Sequence, residues 1–384
     1  MFKDSFSRSL SAAPGRIHLA AHSHHLWPDA SFEAHVQAWN DAAAFADQKW
    51  EHVFSNVYPR AQEHVKRLLG LSSPDTVAFG PNTHDFVRRL LSCLPLGRAP
   101  RVLTTDGEFH SFARQSARLE EDGLLVVERV PCDPISTLAE RLAARAAEGS
   151  WDLVFVSHVL FGSGAALDIE RVVGSVTGDR TFVVIDGYHG FCAIPTPLGA
   201  LEKRVFYMAG GYKYAMAGEG ACFLHCPAGF GERPRDTGWF ASFGTLAHAQ
   251  RGVPYAAGGN RFLGATFDPT ALYRFVAVMD WMQRVGATVE RLHDHAHQMQ
   301  AVFLAELQKD PKSPLRAEQL VVPLSNAQRG QFLAFQTSEA AAIHAKLLRA
   351  NVTTDVRGDR IRLGFGPYVD EADVREAVRR LLAG

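Results

Sequence analysis

Seven short runs of nearly continuous apolar residues, TVAFG, RVLTT, LLVVERV, DLVFVS, TFVVID, RVFYMA and ACFLHC, recur through the first two thirds of the chain. Strands this apolar must be covered on both faces, unlike strands that alternate between core and solvent. Between several of them lie stretches such as HDFVRRLLSCL and ISTLAERLAARAAEG, whose apolar residues recur at helical spacing. Strand, helix, strand alternation predicts an α/β fold with a mostly parallel seven-stranded sheet flanked by helices. Ligands of such sheets collect beyond the carboxyl ends of the strands, so strand-end residues are the first functional candidates.

After Pro269 the pattern changes. One long helical run over residues 270–307 is expected to lead into a smaller α+β unit, with strands QLVVPL, GQFLAFQ and RIRLGF and a closing helix DEADVREAVRRLLA. At 384 residues and 47% hydrophobic content, the chain is long enough for two well-buried domains. The expected division is an N-terminal arm over 1–40, a large domain over 41–265 and a small C-terminal domain over 266–384. Lys and Arg number 40 against 41 Asp and Glu, a net charge of -1, so no global field recruits nucleic acid or an anionic membrane. No segment approaches the roughly 20 apolar residues of a membrane helix, and the first residues lack a signal-peptide core. A soluble, cytoplasmic protein is expected. The five cysteines are odd in number and scattered, which suits reduced thiols, and the pair in ACFLHC lacks zinc-ribbon spacing.

Several strand ends carry chemistry. TFVVID ends in Asp186, with His189 three residues later. A carboxylate there either caps the next helix or, buried, seeks a cation such as a protonated heteroaromatic nitrogen. The next strand leads into MAGGYKYAMAGEG, where Lys213 stands between Tyr212 and Tyr214 among small residues. Glycines there would let the backbone and a wide planar cofactor approach one another. A strand-end aspartate, a further strand and then a lysine in this setting meet the needs of pyridoxal phosphate: a nucleophilic amine and an anion for the far end of the ring. Upstream, GPNTHDF places Asn82 and Thr83 at a helix start, as an ordinary cap or as a phosphate cradle. Phe109 and His110, in TTDGEFHSF, each offer a face on which a ring could stack. Neither a P-loop lysine nor a G-x-G-x-x-G follows the first strand, which argues against nucleotides.

Taken in order, these motifs resemble the class V aminotransferase family of fold type I pyridoxal phosphate enzymes, closest to its kynureninase branch. GGYKY followed by GEGA is similar to that branch's Gly-Tyr-Lys-Tyr segment, VIDGYHG to its Asp-x-x-His, DTGWF to its Gly-Trp-Phe, and RIRLGFGPYVDEADV to its C-terminal stretch. HLAAHSHHLWP falls in register with its N-terminal segment. The resemblance implies that Lys213 joins the cofactor and that Asp186 partners the pyridine nitrogen. It further implies that Tyr212, Thr83 and Asn82 hold the phosphate with His189 and Trp239 close by, that Phe109 stacks on the ring, and that His158 reaches the phenolic oxygen. Thr266 matches a residue that reaches the phosphate from a neighbouring subunit, implying a homodimer with shared sites. Arg362 matches the clamp for the α-carboxylate of an amino-acid substrate, a planar task suited to arginine.

Two departures stand out. The branch's Phe-Pro-x-Asp becomes Phe109, His110, Ser111, Phe112, so an aspartate near the cofactor is missing. Its Asn-Ser-Leu-Gly becomes His22, Ser23, His24, His25, which alters the border of the substrate pocket. If extended, that segment would place His22 and His24 on one face; substrate contact or packing is favoured over a metal. The resemblance implies removal of a Cα proton by Lys213 and hydrolytic Cβ–Cγ cleavage, giving alanine and an aromatic acid. A class V aminotransferase or another amino-acid lyase uses the same Asp and Lys machinery, and a non-catalytic cofactor-binding protein is the alternative of another class. No cysteine follows Cys226, so the late-loop thiol nucleophile of a cysteine desulfurase is absent.

Overall fold

All seven apolar runs enter one sheet in the computed structural model, which describes residues 1–245, 251–324 and 329–383. The strands are β1 (Val77–Gly80), β2 (Arg101–Thr105), β3 (Val126–Val130), β4 (Leu153–Ser157), β5 (Phe182–Asp186), β6 (Val205–Gly210) and β7 (Cys222–His225). Their spatial order is β1-β7-β6-β5-β4-β2-β3. Strands β2 to β6 are parallel, whereas β7 pairs antiparallel with both β6 and β1. The β6–β7 connection contains no crossover helix, so the chain reverses instead of winding round. The first residue of β7, Cys222, therefore lies at the edge where the parallel strands end, opposite Gly210 and Gly80. Ser157 lies opposite Asp186 on that same edge. β4, β6 and β7 are buried throughout, while β3 alternates in burial because it is an edge strand with one neighbour.

The covering helices include α1 (Asp29–Phe45), α2 (Tyr58–Leu69), α3 (Thr83–Ser92), α4 (His110–Glu121) and α5 (Leu138–Glu148). α2 stops at Gly70, whose φ of 62° is left-handed. α3 starts where the Asn82 side chain accepts from the Asp85 N–H at 2.9 Å. At the start of α4, Phe112 is buried and stacks on Phe155 of β4 with centroids 3.6 Å apart. Position 112 thus belongs to the apolar core.

The long helical run is two helices, α6 (Thr270–Arg284) and α7 (Val289–Gln308). Gly286 breaks it with φ 65°, and the Thr288 hydroxyl caps the new start by accepting from the Arg291 N–H at 3.3 Å. α6 packs on the large unit: Tyr273 donates to Asp41 at 3.0 Å, and Arg274 to the carbonyls of Ala217 at 2.9 Å and Glu219 at 2.6 Å. The small sheet is antiparallel, with order β9-β10-β8 for β8 (Phe332–Gln336), β9 (Asp355–Arg357) and β10 (Arg360–Gly364). QLVVPL does not become a strand. Its Leu320 makes one isolated bridge to Phe335, and Pro323 lacks the N–H that a ladder needs. Helices α8 (Ala340–Arg349) and α9 (Glu371–Leu382) complete the unit, the latter opened by a capping box between Asp370 and Asp373. The N-terminal arm joins it too, since Ile17 and His18 pair in parallel with Val352 and Thr353. Among the described residues no helix is long and apolar enough to cross a membrane.

Replacing Phe112 by Ala is expected to cost about 3–5 kcal/mol of stability, the usual loss for a buried phenyl ring, read from urea denaturation. A change under about 1 kcal/mol would mean that the ring is not part of the core.

Candidate active site

A cavity of about 300 Å³ opens at the sheet edge where Ser157, Asp186 and Cys222 lie. Lys213 forms its floor from the turn after β6, in which the Met216 N–H donates to the Lys213 carbonyl at 2.9 Å. The glycines before Lys213 have packing reasons of their own. A Cβ at Gly210 would collide with the Tyr188 hydroxyl and Cys222, and one at Gly211 would come within 2.8 Å of the Gly218 carbonyl. The room at Gly210 is therefore taken by Tyr188, a use the sequence reading did not foresee.

Lys213 is 5% exposed, and its Nζ lies 2.8 Å from His189 Nε2. Three rings surround the amine, with centroids at 4.7 Å (Tyr188), 5.4 Å (Phe109) and 5.6 Å (Tyr212). Burial lowers its pKa to about 7, with Asp186 pulling the other way. Burial, helped by Lys213, also pushes His189 well below the usual histidine range, so the imidazole is neutral. Asp186 is buried, with Oδ1 accepting from the Tyr188 N–H at 2.9 Å. Burial raises its carboxyl, opposed by that hydrogen bond and by Lys213.

Elsewhere on the cavity wall stands the start of α3: Asn82, Thr83 and His84 line it. The Asn82 side-chain oxygen is committed to its cap, leaving the Thr83 hydroxyl and the first-turn N–H groups as the anion-facing donors. Phe109 and Tyr212 also line the cavity, and Phe109 meets Phe161 edge-on at 5.4 Å.

Other expected site residues lie apart from this lining. His158 is buried against Gly190 and Tyr207 with Nδ1 unpartnered, and its backbone N–H donates to the Asp186 carbonyl at 2.8 Å. Trp239 is 42% exposed and stacks on Phe240, and Thr266 is exposed. Arg362, on β10, donates to the Asp355 carboxylate and the Phe161 carbonyl, leaving Nε without a partner. The His22 segment is a turn, not extended: the N–H groups of Ser23 and His24 both point to the Ala20 carbonyl. Its side chains consequently diverge, contrary to the expected shared face of His22 and His24. His22 is buried on Phe332 with Nε2 3.5 Å from Asp355; His24 is exposed and stacks on Tyr212 at 5.2 Å. His25 packs between Tyr214 and Tyr368 and bonds the Leu26 carbonyl at 3.0 Å, a core histidine. No cluster of three or more metal-ligating side chains exists among the described residues.

Four residues at or near the site escaped the sequence reading: Tyr188 and Cys222 on the cavity wall, Asp355 behind Arg362, and Glu108. Glu108 stands directly before Phe109 and is 4% exposed. It accepts from the Thr105 hydroxyl at 2.7 Å, the Ser157 N–H at 3.2 Å and the Ser157 hydroxyl at 2.6 Å. Its one sequence signal is a charged residue in the short turn between an apolar strand and a helix.

Residues 292–381 match the family model described as the kynureninase C-terminal domain. The kynureninase of Deinococcus radiodurans is 26% identical over 364 residues, which span 88% of this chain and 84% of that protein. The chain is thus similar to kynureninase and has the type I fold of pyridoxal phosphate enzymes. Solved structures with the same fold include the cystine C-S lyase C-DES in complex with its product cysteine persulfide, at TM-score 0.81 and 18% identity, covering 97% of this chain and 98% of that one. A lysine-to-alanine mutant of C-DES with glycine covalently linked to its PLP cofactor superposes at TM-score 0.83 and 18% identity, over 99% of each chain. The apo cysteine desulfurase of Thermococcus onnurineus NA1 does so at 0.80 and 16%, over 95% of this chain and 93% of that one.

An amine whose pKa is lowered to about 7 makes a pH-dependent nucleophile. The initial rate of reductive capture of a small aldehyde at Lys213 is expected to rise roughly tenfold per pH unit below about 7 and to level off above it. A midpoint near the ordinary lysine value, about 10, would refute the burial of this amine.

Proposed function

We propose that the chain is a pyridoxal 5'-phosphate-dependent enzyme acting on an α-amino acid, and that it carries out the kynureninase-type hydrolytic cleavage of a Cβ–Cγ bond, leaving alanine and an aromatic acid. The observation that carries this reading is the buried Lys213 amine, held by His189 among three rings and facing the cavity that Asp186 and the start of α3 also line. The family-model match and the Deinococcus relative support the kynureninase branch in particular.

The residues present fit such a cofactor. Asp186 is a buried acid whose hydrogen bond comes from a neutral N–H, so a cationic ring nitrogen would complete it. The Thr83 hydroxyl and the positive end of α3 suit a phosphate dianion, and Phe109 offers a ring face. When bound, the cofactor supplies an aldehyde carbon for amines and a ring that delocalises negative charge from the substrate Cα.

The chain's own residues then divide the remaining tasks. Lys213, largely able to shed its proton near neutrality, is both nucleophile and the base that takes the Cα proton, with His189 Nε2 placed to accept a hydrogen bond from the protonated amine. Asp186 keeps a proton on the ring nitrogen. Thr83, Tyr212 and the first-turn N–H groups hold the phosphate, while Asn82 serves by capping that turn. Arg362 clamps the α-carboxylate, its buried and unpartnered Nε–H being the donor left for it. His158 reaches the phenolic oxygen only if its side chain turns from Gly190. His22 sits behind Arg362, His24 borders the entrance over Tyr212, and His25 is given no substrate role. Trp239 and the exposed Thr266 would act across a homodimer interface, completing the site of a neighbouring subunit. The cytoplasm is the proposed compartment.

Purified, cofactor-loaded protein incubated with kynurenine and no keto acid is expected to release anthranilate and alanine. Accumulation of the cofactor's amine form, with turnover restored by a keto acid, would instead identify an aminotransferase. Lys213→Ala is expected to lose the visible absorbance of the covalently bound cofactor, and an unchanged spectrum would remove Lys213 from the reaction. Arg362→Lys is expected to raise KM roughly tenfold to a hundredfold with a smaller effect on kcat, through loss of a charge-assisted hydrogen bond.

A further inference from the structure

Glu108 has no part in the reaction as set out above, yet it is a carboxyl group buried in the turn between β2 and α4 beside the site. Taking a carboxylate out of water costs several kcal/mol unless its oxygens are satisfied. Both oxygens of Glu108 are satisfied, and all three donors are neutral: the Thr105 hydroxyl at the end of β2, and the N–H and hydroxyl of Ser157 at the end of β4. Three donors converging on one group select an acceptor, which is what a carboxylate is and an amide is only in part. Ser157 is in register with Asp186 on the adjacent strand and lines the cavity, so Glu108 lies one residue behind the wall, next to the anion facing the ring.

The electrostatics agree with this placement. Burial pushes the Glu108 carboxyl up to about 7, the Ser157 and Thr105 hydrogen bonds pull it down, and the charge of Asp186 pushes it further up. Two acids that sense each other in this way share one low-dielectric region. The other titratable group that senses Glu108 is Cys132, after β3, itself beside Asp106. His158, the neighbour of Ser157, is kept neutral by burial. Phe112, where the kynureninase branch has its aspartate, is stacked in the core on Phe155 and supplies no charge.

We infer that Glu108 is a positioning residue that supplies the second carboxylate of this site: from behind Ser157 it adds negative charge beside Asp186 and raises the proton affinity of the ring nitrogen that Asp186 faces. The inference rests on the proposed cofactor reading. The charge missing at Phe112 is thereby provided four residues earlier, in the turn before α4.

The test is a pH titration of the visible absorbance of cofactor-loaded wild type, Glu108→Gln and Ser157→Ala between about pH 5.5 and 9.5. Glu108→Gln keeps the shape and removes the charge, so the midpoint of the absorbance change is expected to fall by about one pH unit. Ser157→Ala removes a hydrogen bond that favours the ionised carboxylate, so it is expected to move the midpoint the same way by less. A purely structural role for Glu108 would lower the melting temperature without moving either midpoint, and loaded variants within about 0.2 unit of wild type overturn the inference. If Glu108→Gln does not fold, the Ser157→Ala midpoint decides alone. A wild-type protein that takes up no cofactor overturns the site reading and this inference together, whereas a loaded protein with unmoved midpoints overturns this inference only.

Discussion

Removal of water from one lysine amine is the constraint on which the rest of this site depends. An ammonium group in bulk water holds its proton near pH 10 and is neither nucleophile nor base at neutrality. Enclosure of Lys213 by Tyr188, Phe109 and Tyr212 reverses that preference by disfavouring the charged form. The price is that each neighbouring polar group must be placed with care. His189 sits 2.8 Å from the amine as a neutral ring, and burial also raises the proton affinity of Asp186 beside it. One dry region therefore shifts all three groups.

The sheet makes this burial attainable. Five parallel strands bring Thr105, Ser157, Asp186 and Gly210 to one edge, and the reversed β7 adds Cys222 to it from the opposite direction. The small residues before Lys213 admit Tyr188, whose hydroxyl lies 3.4 Å from the Cys222 sulfur, and that sulfur is in turn a buried thiol pushed up to about 12 by desolvation. Cys222 is thus a packing group at neutral pH, although it lines the cavity.

The features legible in the sequence were those encoded by local period and by residue type at a strand end. Seven apolar runs announced seven strands of one sheet, and Asp186 and Lys213 stood out as candidates by their order: a strand-end aspartate, a further strand, then a lysine among small residues. What was hidden depended on register and on burial, neither of which is written in a residue's name. The break at Gly286 is invisible to periodicity because apolar residues continue on both sides of it. The turn that separates His22 from His24 depends on the Ala20 carbonyl, and the pairing of Arg362 with Asp355 depends on the register of a three-residue strand too short to stand out. The burial of Glu108 depends on Thr105 and Ser157, which folding brings to it from the ends of two strands.

The surroundings of Arg362 show how such hidden pairings alter chemistry. Arg362 is the residue best suited to a substrate carboxylate, but Asp355 already occupies one edge of its guanidinium and the Phe161 carbonyl another nitrogen. Although burial opposes ionisation, His22 and Arg362 hold Asp355 well below the usual carboxylate range, so it stays charged throughout the neutral range. Under the proposed function, a substrate anion would meet an arginine whose charge is largely balanced, and would be held by the directional N–H of the unpartnered Nε rather than by net attraction. Directional binding tolerates little displacement, since a hydrogen bond weakens steeply with angle while Coulomb attraction does not. Selection by such an arginine would thus be a matter of geometry: the α-carboxylate would have to arrive in the plane of a guanidinium that Asp355 has already fixed.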